Sequence, residues 1–295
     1  GTGGLEAARQ AAEAGHRVVL FEKQRRLGGS LTLASAVHSD NERFLNWLLA
    51  EVKRLDIDIR TGCKATVEVV GAENPDAVIV STGARVLMPR IPGIEQARVL
   101  TGALLRQVMA GEMEGGESWR LPKWQQWFVA KCMPLSQRFM SPELMRRASK
   151  LWLPLGNEVV IVGVDLVAVE LAEFLAHRGR KVHLLGSDRK IIPEVGKKRR
   201  NEHMDRLDNL RVTVNTAVDI LRIEKESVII GAGEVERAIR GDSIIVAGDP
   251  VADTSLAQAL EGEGISVHSI GDSTGPGLIV KATRTADEAV AKIQL

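Results

Sequence analysis

The feature that most constrains this chain is its opening run, Gly1-Thr2-Gly3-Gly4-Leu5-Glu6-Ala7-Ala8, followed by the helical stretch Leu5 to Ala14 and a stop at Gly15. A glycine-rich turn entering a helix leaves backbone N–H groups free at a positive helix end, which suits a phosphate. A dinucleotide fold uses one glycine for the turn, a second where backbone nears the pyrophosphate, and a third for close packing of helix on strand. Gly1 and Gly4 fit the second and third positions, with Thr2 and Gly3 between them. The first glycine and its preceding apolar strand are not in the sequence, so the chain reads as beginning inside the motif, as a fragment would.

The downstream context agrees. Arg17-Val18-Val19-Leu20-Phe21 is an apolar β stretch closed by Glu22, and an acid about 20 residues beyond such glycines is where a ribose contact belongs. After Glu22 and Lys23 a basic loop runs to Leu27-Gly28-Gly29-Ser30, either a second phosphate-side contact or an ordinary turn. Asn41 to Leu55 has apolar residues at helical spacing and is expected to be a packing helix. Ile57 to Thr61 and Ala65 to Val70 are expected as short strands, and Asp76 to Val80 as a buried strand leading into Ser81-Thr82-Gly83-Ala84.

A second turn of the same kind begins at Glu158-Val159-Val160-Ile161-Val162-Gly163, continues as a helix over Leu166 to Ala176, and returns as a strand over Lys181 to Leu185. Gly163 holds the first glycine position, but Asp165 stands at the second and Ala168 at the third. A carboxylate at the second position either competes with a pyrophosphate for the N–H donors or simply caps the helix. At an effective dielectric near 20, a carboxylate about 5 Å from one phosphate charge costs roughly 3 kcal/mol. Gly186 occupies the place of an NAD-selecting acid, while Arg189 and Lys190 either meet a 2′-phosphate or form a surface turn beside Asp188.

Composition narrows the classes. The 295 residues are 44% hydrophobic, enough for two domains. A net charge of +1, from 39 basic and 38 acidic side chains, gives no overall field for nucleic acid. No run approaches the ~20 apolar residues of a membrane span, and a cytoplasmic setting is expected. Cys63 and Cys132 form no C-x-x-C pair, and the six histidines show no metal-pair spacing, so no metal site is assigned.

The opening turn, Glu22-Lys23, Leu27-Gly28-Gly29, the segment Asp76 to Ala84, and Val267-His268-Ser269-Ile270-Gly271-Asp272 together resemble the two-domain FAD/NAD(P)-binding flavoprotein reductases. More closely, the chain resembles the C-terminal part of the 2,4-dienoyl-CoA reductase and trimethylamine dehydrogenase group, relatives of the old yellow enzymes. The resemblance covers nearly the whole length. It implies an α/β fold of two Rossmann-like domains: an FAD-binding domain over 1–100 and 244–295, split around an NAD(P)-binding-like domain over 156–243. Residues 101–155, rich in Trp and basic side chains, would connect them, either as a packed subdomain or as a surface that docks on an N-terminal region. FAD contacts would come from Gly1, Thr2, Gly3, Gly4, Glu22, Lys23, Gly29, Ser30, Thr82, Gly83, Gly271 and Asp272. Gly163, Asp165, Ala168, Glu170 and Arg189 would face NAD(P), with Glu170 matching a family glutamate near the nicotinamide.

In that group, electrons pass from NAD(P)H through FAD and a 4Fe-4S cluster to FMN in an N-terminal barrel, where an unsaturated, enoyl-type substrate is reduced. The barrel would be the chain's partner. The cofactors carry the electron chemistry, so no catalytic side chain is singled out. The alternative is a noncatalytic nucleotide-holding module whose coenzyme turn has degenerated.

Overall fold

A five-stranded parallel sheet is built from continuous apolar runs, Val159-Val160-Ile161 and Ile244-Ile245-Val246 among them, as strands covered on both faces require. The computed structural model describes residues 1–96, 99–101, 141–151, 153, 155–233 and 235–293. In chain order these form α1 (Thr2–Glu13), β1 (Val18–Glu22), α2 (Ser30–Val37), α3 (Asp40–Arg54), β2 (Ile57–Thr61), α4 (Val67–Gly71), β3 (Val78–Val80) and β4 (Ala84–Leu87). Then come β5 (Val99–Thr101), α5 (Pro142–Leu151), β6 (Glu158–Val162), α6 (Leu166–Ala176), β7 (Lys181–Leu185), α7 (Lys197–Asn209) and β8 (Thr213–Asn215). The last stretch is β9 (Asp219–Glu224), β10 (Ser227–Ala232), β11 (Val235–Arg240), β12 (Ser243–Val246), β13 (Asp249–Ala252), α8 (Ser255–Gly262), β14 (Val267–Ser269) and α9 (Ile279–Lys292).

The chain divides into two units, one of Gly1–Ser35, Ser39–Leu87 and Pro250–Leu295, the other of Ala36–His38 and Met88–Asp249. In the first, β1 pairs in parallel with β2, and β3 with β14. Helix α1 packs on α9 through small residues: Ala7 and Ala11 meet Ala286, Ala289 and Val290, with Ile270, Val18 and Ile79 below them. Small side chains let the two helices approach closely, which holds the N-terminal turn of α1 at one end of this layer. On its other side Leu5 joins Leu48 and Val52 of α3, over Leu20, Ile57 and Ile59.

The second unit holds a five-stranded parallel sheet in the order β5-β12-β6-β7-β8, with a three-stranded antiparallel sheet β11-β10-β9. Val160, Leu185, Ile244 and Val246 of the parallel sheet share a core with Ile223, Val228, Ile230 and Ile239. Helix α6 spans the residues its 3.6-residue periodicity predicts, and Val169, Ala172 and Leu175 are fully buried.

One element differs from its expected type. The segment 65–70, read as an alternating strand, is instead the short helix α4, because Thr66 caps it by accepting the Val69 N–H at 3.3 Å, with Glu68 in the first turn. Its Val67 and Val70 face Ala257 and Leu260 of α8. Most of the Trp-rich segment, including Trp119, Trp124, Trp127, Trp152 and Cys132, lies outside the described residues, so the readings of 101–155 as a packed subdomain or a docking surface do too. Of its described part, Pro142–Leu151 is helical.

Candidate functional site

The first unit brings three of the expected residues to the N-terminus of α1. Gly1 is the N-cap and supplies no side-chain hydrogen bond. Its nitrogen lies 3.7 Å from the Glu22 carboxylate at the end of β1. Gly29, at φ 54°, is so close that a β-carbon there would sit 2.8 Å from the Cα of Gly1. Glycine is therefore required at position 29 by both backbone conformation and space. One residue on, Ser30 opens α2. Along α1, a β-carbon on Gly3 would lie 3.3 Å from Ile270, and one on Gly4 would collide with the Ser81 hydroxyl.

The strand ends contribute the rest. Thr82 and Gly83 follow β3, and both reach the same loop: the Thr82 hydroxyl donates to the Asp253 carbonyl at 3.1 Å, and the Asp253 N–H donates to the Gly83 carbonyl at 3.2 Å. The Asp253 carboxyl is held below its ordinary value, chiefly by the Ser255 hydroxyl, with Arg85 and Lys23 adding to it. Asp253 and Ser255 have no motif around them, and sequence reasoning missed them. Gly271, at φ 61°, donates its N–H to Thr285 Oγ1 at 2.8 Å. Burial pushes the Asp272 carboxyl up, opposed by the Gly277 N–H that it accepts at 3.1 Å and by Lys281.

These residues fit a dinucleotide's needs. Backbone meets backbone where a bulky group must pass, the helix end is free of side-chain caps, and a carboxylate stands beside the turn.

The second unit has the same layout with a different helix end. Gly163, at φ 147°, admits Ala247 and Ala168, whose β-carbons would lie 3.1 and 3.3 Å from one placed on it. Asp165 is the N-cap of α6, and its carboxylate accepts the Ala168 N–H at 2.8 Å. Of the two readings open for Asp165, the capping geometry is the one present. A second carboxylate joins it: Glu194, from the loop between β7 and α7, accepts the Leu166 N–H at 2.6 Å. Burial raises the Asp165 carboxyl above its ordinary value, and Glu194 and Asp249 push it the same way against the Ala168 N–H. Two of the first-turn donors of α6 are therefore taken by this chain's own anions, and a pyrophosphate at this helix end competes with them for those donors.

One turn further along, Glu170 is buried and its carboxyl is pushed up to about 7 by that burial, opposed by Arg199 at 3.4 Å. Beside it, Glu173 accepts from or pairs with His203 at 2.7 Å and Arg206 at 3.4 Å. Gly186 packs on Val164, where a β-carbon would lie 2.6 Å from a methyl group, so the missing acid at this strand end has a packing cause as well. Arg189 and Lys190 are exposed in the turn after β7. Among the described residues, no group of three or more His, Cys, Asp or Glu is placed to hold a metal, and no helix is long and apolar enough to cross a membrane.

One glycine-rich turn entering α1, a second between β6 and α6, and a chain segment returning to the first unit after the second define a flavoprotein-reductase type of fold. Residues 1–271 match the pyridine nucleotide-disulphide oxidoreductase family, and the chain belongs to it. It is 28% identical over 297 residues to an NADH oxidase of Thermoanaerobacter brockii, covering 99% of this chain and 40% of that one. It is 30% identical over 274 residues to a bilirubin reductase of Mediterraneibacter gnavus, covering 92% and 36%. A solved 2-naphthoyl-CoA reductase, in complex with 2-naphthoyl-CoA, superposes with a TM-score of 0.80 at 25% identity, covering 100% of this chain and 39% of that one. The chain thus spans about two fifths of the length of these relatives. The two widely separated cysteines offer no closely spaced disulphide pair.

Proposed function

We propose that the first unit binds FAD and that the chain serves as the electron-relay part of a larger flavin-dependent oxidoreductase acting on an unsaturated substrate. The observation that carries this reading is the convergence of Gly1, Gly29 and Glu22 at the uncapped start of α1. FAD, once bound, supplies the means to take hydride from NAD(P)H and pass electrons on. The chain's residues would do the holding: the α1 turn would face the pyrophosphate, Glu22 would accept from the ribose hydroxyls, and Gly271 with Asp272 would border the ribityl side. Thr2, Gly3, Gly4, Lys23, Ser30, Thr82 and Gly83 complete the enclosure.

The partner in this reading is an N-terminal barrel carrying FMN and a 4Fe-4S cluster. The lengths support it, since the relatives extend well beyond the matched region, and two of them are named as reductases of conjugated compounds, bilirubin and 2-naphthoyl-CoA. The test is the identity of the flavin released from the full-length protein, purified and supplied with FAD. About one FAD per chain is expected beside any FMN, and a folded protein that releases no FAD overturns the assignment.

A second reading has its own observation. Asp165 and Glu194 on the donors of α6 favour a module that holds one nucleotide and has lost the other. Stopped-flow mixing with NADH and NADPH separates the two: reduction of the flavin supports the relay, and its absence in a flavin-loaded protein supports the noncatalytic module.

A further inference from the structure

The loop after β7 is fixed with unusual thoroughness for a surface segment. Ile191, Ile192 and Val195 are buried, and Ile192 adopts a left-handed conformation, φ 47°, that a β-branched residue rarely accepts. Its N–H donates to the Val164 carbonyl at 2.7 Å, immediately before the α6 turn. From the other side the Arg200 guanidinium donates to the carbonyls of Ile192 at 3.2 Å and Val195 at 2.9 Å. The exposed Glu194 is thereby carried to the Leu166 N–H at 2.6 Å. A charge-assisted bond of this length is the contact that a phosphate oxygen makes at such a helix end.

From this geometry we infer that Glu194 is a built-in competitor for the pyrophosphate of NAD(P)H at the start of α6, and so sets the coenzyme affinity of the second unit. The inference deepens the reading of that unit as a coenzyme domain and rests on it. Glu194 and a phosphate require the same donor, and their like charges exclude simultaneous occupancy at hydrogen-bond distance. Coenzyme enters when the Glu194 side chain swings into solvent, which its exposure permits without unfolding the anchored backbone. Asp165 differs in kind, because it belongs to the helix as its cap and cannot leave as freely.

The test measures ADP-ribose and NAD⁺ binding by calorimetry to the full-length, FAD-supplied protein, as wild type, Glu194→Gln and Glu194→Ala. Removal of a single charge-assisted competitor is expected to tighten ADP-ribose about tenfold in Glu194→Ala. Glu194→Gln keeps an acceptor without the charge and is expected to fall between. Equal affinities within about twofold, or no binding in any of the three, overturn the inference. A lower melting temperature of Glu194→Ala with unchanged affinity identifies the contact as a structural staple only, and also overturns it. Failure of the FAD assignment shows separately, as the absence of FAD from the flavin that the protein releases, whereas this readout follows ADP-ribose alone.

Discussion

The starts of α1 and α6 are the same device in two chemical states. At α1 a glycine stands at the cap and, among the described residues, no side chain accepts the first N–H groups, while a carboxylate waits beside the turn at the end of the next strand. At α6 the glycine position holds Asp165, and two carboxylates bind the donors directly. Glu22 and Glu194 both approach a helix N-terminus, with opposite effects. A carboxylate beside the turn can receive hydroxyl donors from a ligand, whereas one on the helix N–H groups replaces the ligand's own anion. In the proposed reading the fold alone does not decide which turn binds; the placement of single acids does.

The largest expected effect comes from closing the first turn. Gly29→Val puts a β-branched residue at φ 54° with its β-carbon 2.8 Å from Gly1. The left-handed conformation alone costs roughly 1–2 kcal/mol, and the clash adds to it. The ratio of FAD to protein in the purified variant should fall to background while far-ultraviolet circular dichroism still reports a folded protein. Undiminished FAD would mean that this turn is not where FAD is held.

Next in size is a pH effect confined to the second unit. Glu170 goes from an ordinary 4.5 to about 7 on folding, so the folded state holds its proton more tightly than the unfolded one. The stabilisation is fully present below pH 4.5 and is lost as pH rises through about 7, a change of roughly 3 kcal/mol. Glu170→Gln carries no titrating group and should flatten the difference between urea unfolding at pH 5 and pH 8 by that amount. Identical pH dependence in variant and wild type would show that the buried carboxyl does not titrate with folding.

The smallest effect concerns coenzyme choice. Gly186 leaves no acid at the strand end, and the exposed Arg189 and Lys190 face solvent near Asp188. Exposed charges contribute below about 1 kcal/mol, so NADPH should be preferred over NADH by no more than about fivefold in flavin reduction. Equal or better use of NADH removes the role assigned to Arg189.

Much of this arrangement was legible in the sequence because it is local. The run Glu158 to Leu185 declares strand, helix and strand by periodicity, and α6 begins and ends where Asp165 and Ala176 place it. Glu22 was found by spacing from the glycines. The segment 65–70 misled because its alternation of valines also suits a one-turn helix, and the Thr66 cap outweighed the strand pattern. Helix α7 carries only His203 and Leu207 into the interior and is otherwise charged or polar apart from the exposed Met204, so it offers no apolar stripe to read. Glu194 was invisible for a different reason: it lies 28 residues from the N–H it binds, and only the anchored loop brings them together. Contacts of that separation carry no periodicity.

The contrast between the two helix ends is tested most directly by titrating FAD and NAD⁺ separately into the flavin-stripped full-length protein by calorimetry. FAD is expected to bind at least about a hundredfold more tightly, the equivalent of roughly 3 kcal/mol. NAD⁺ binding as tight as FAD would show that Asp165 and Glu194 leave the second turn as open as the first, and would contradict the distinction drawn between them.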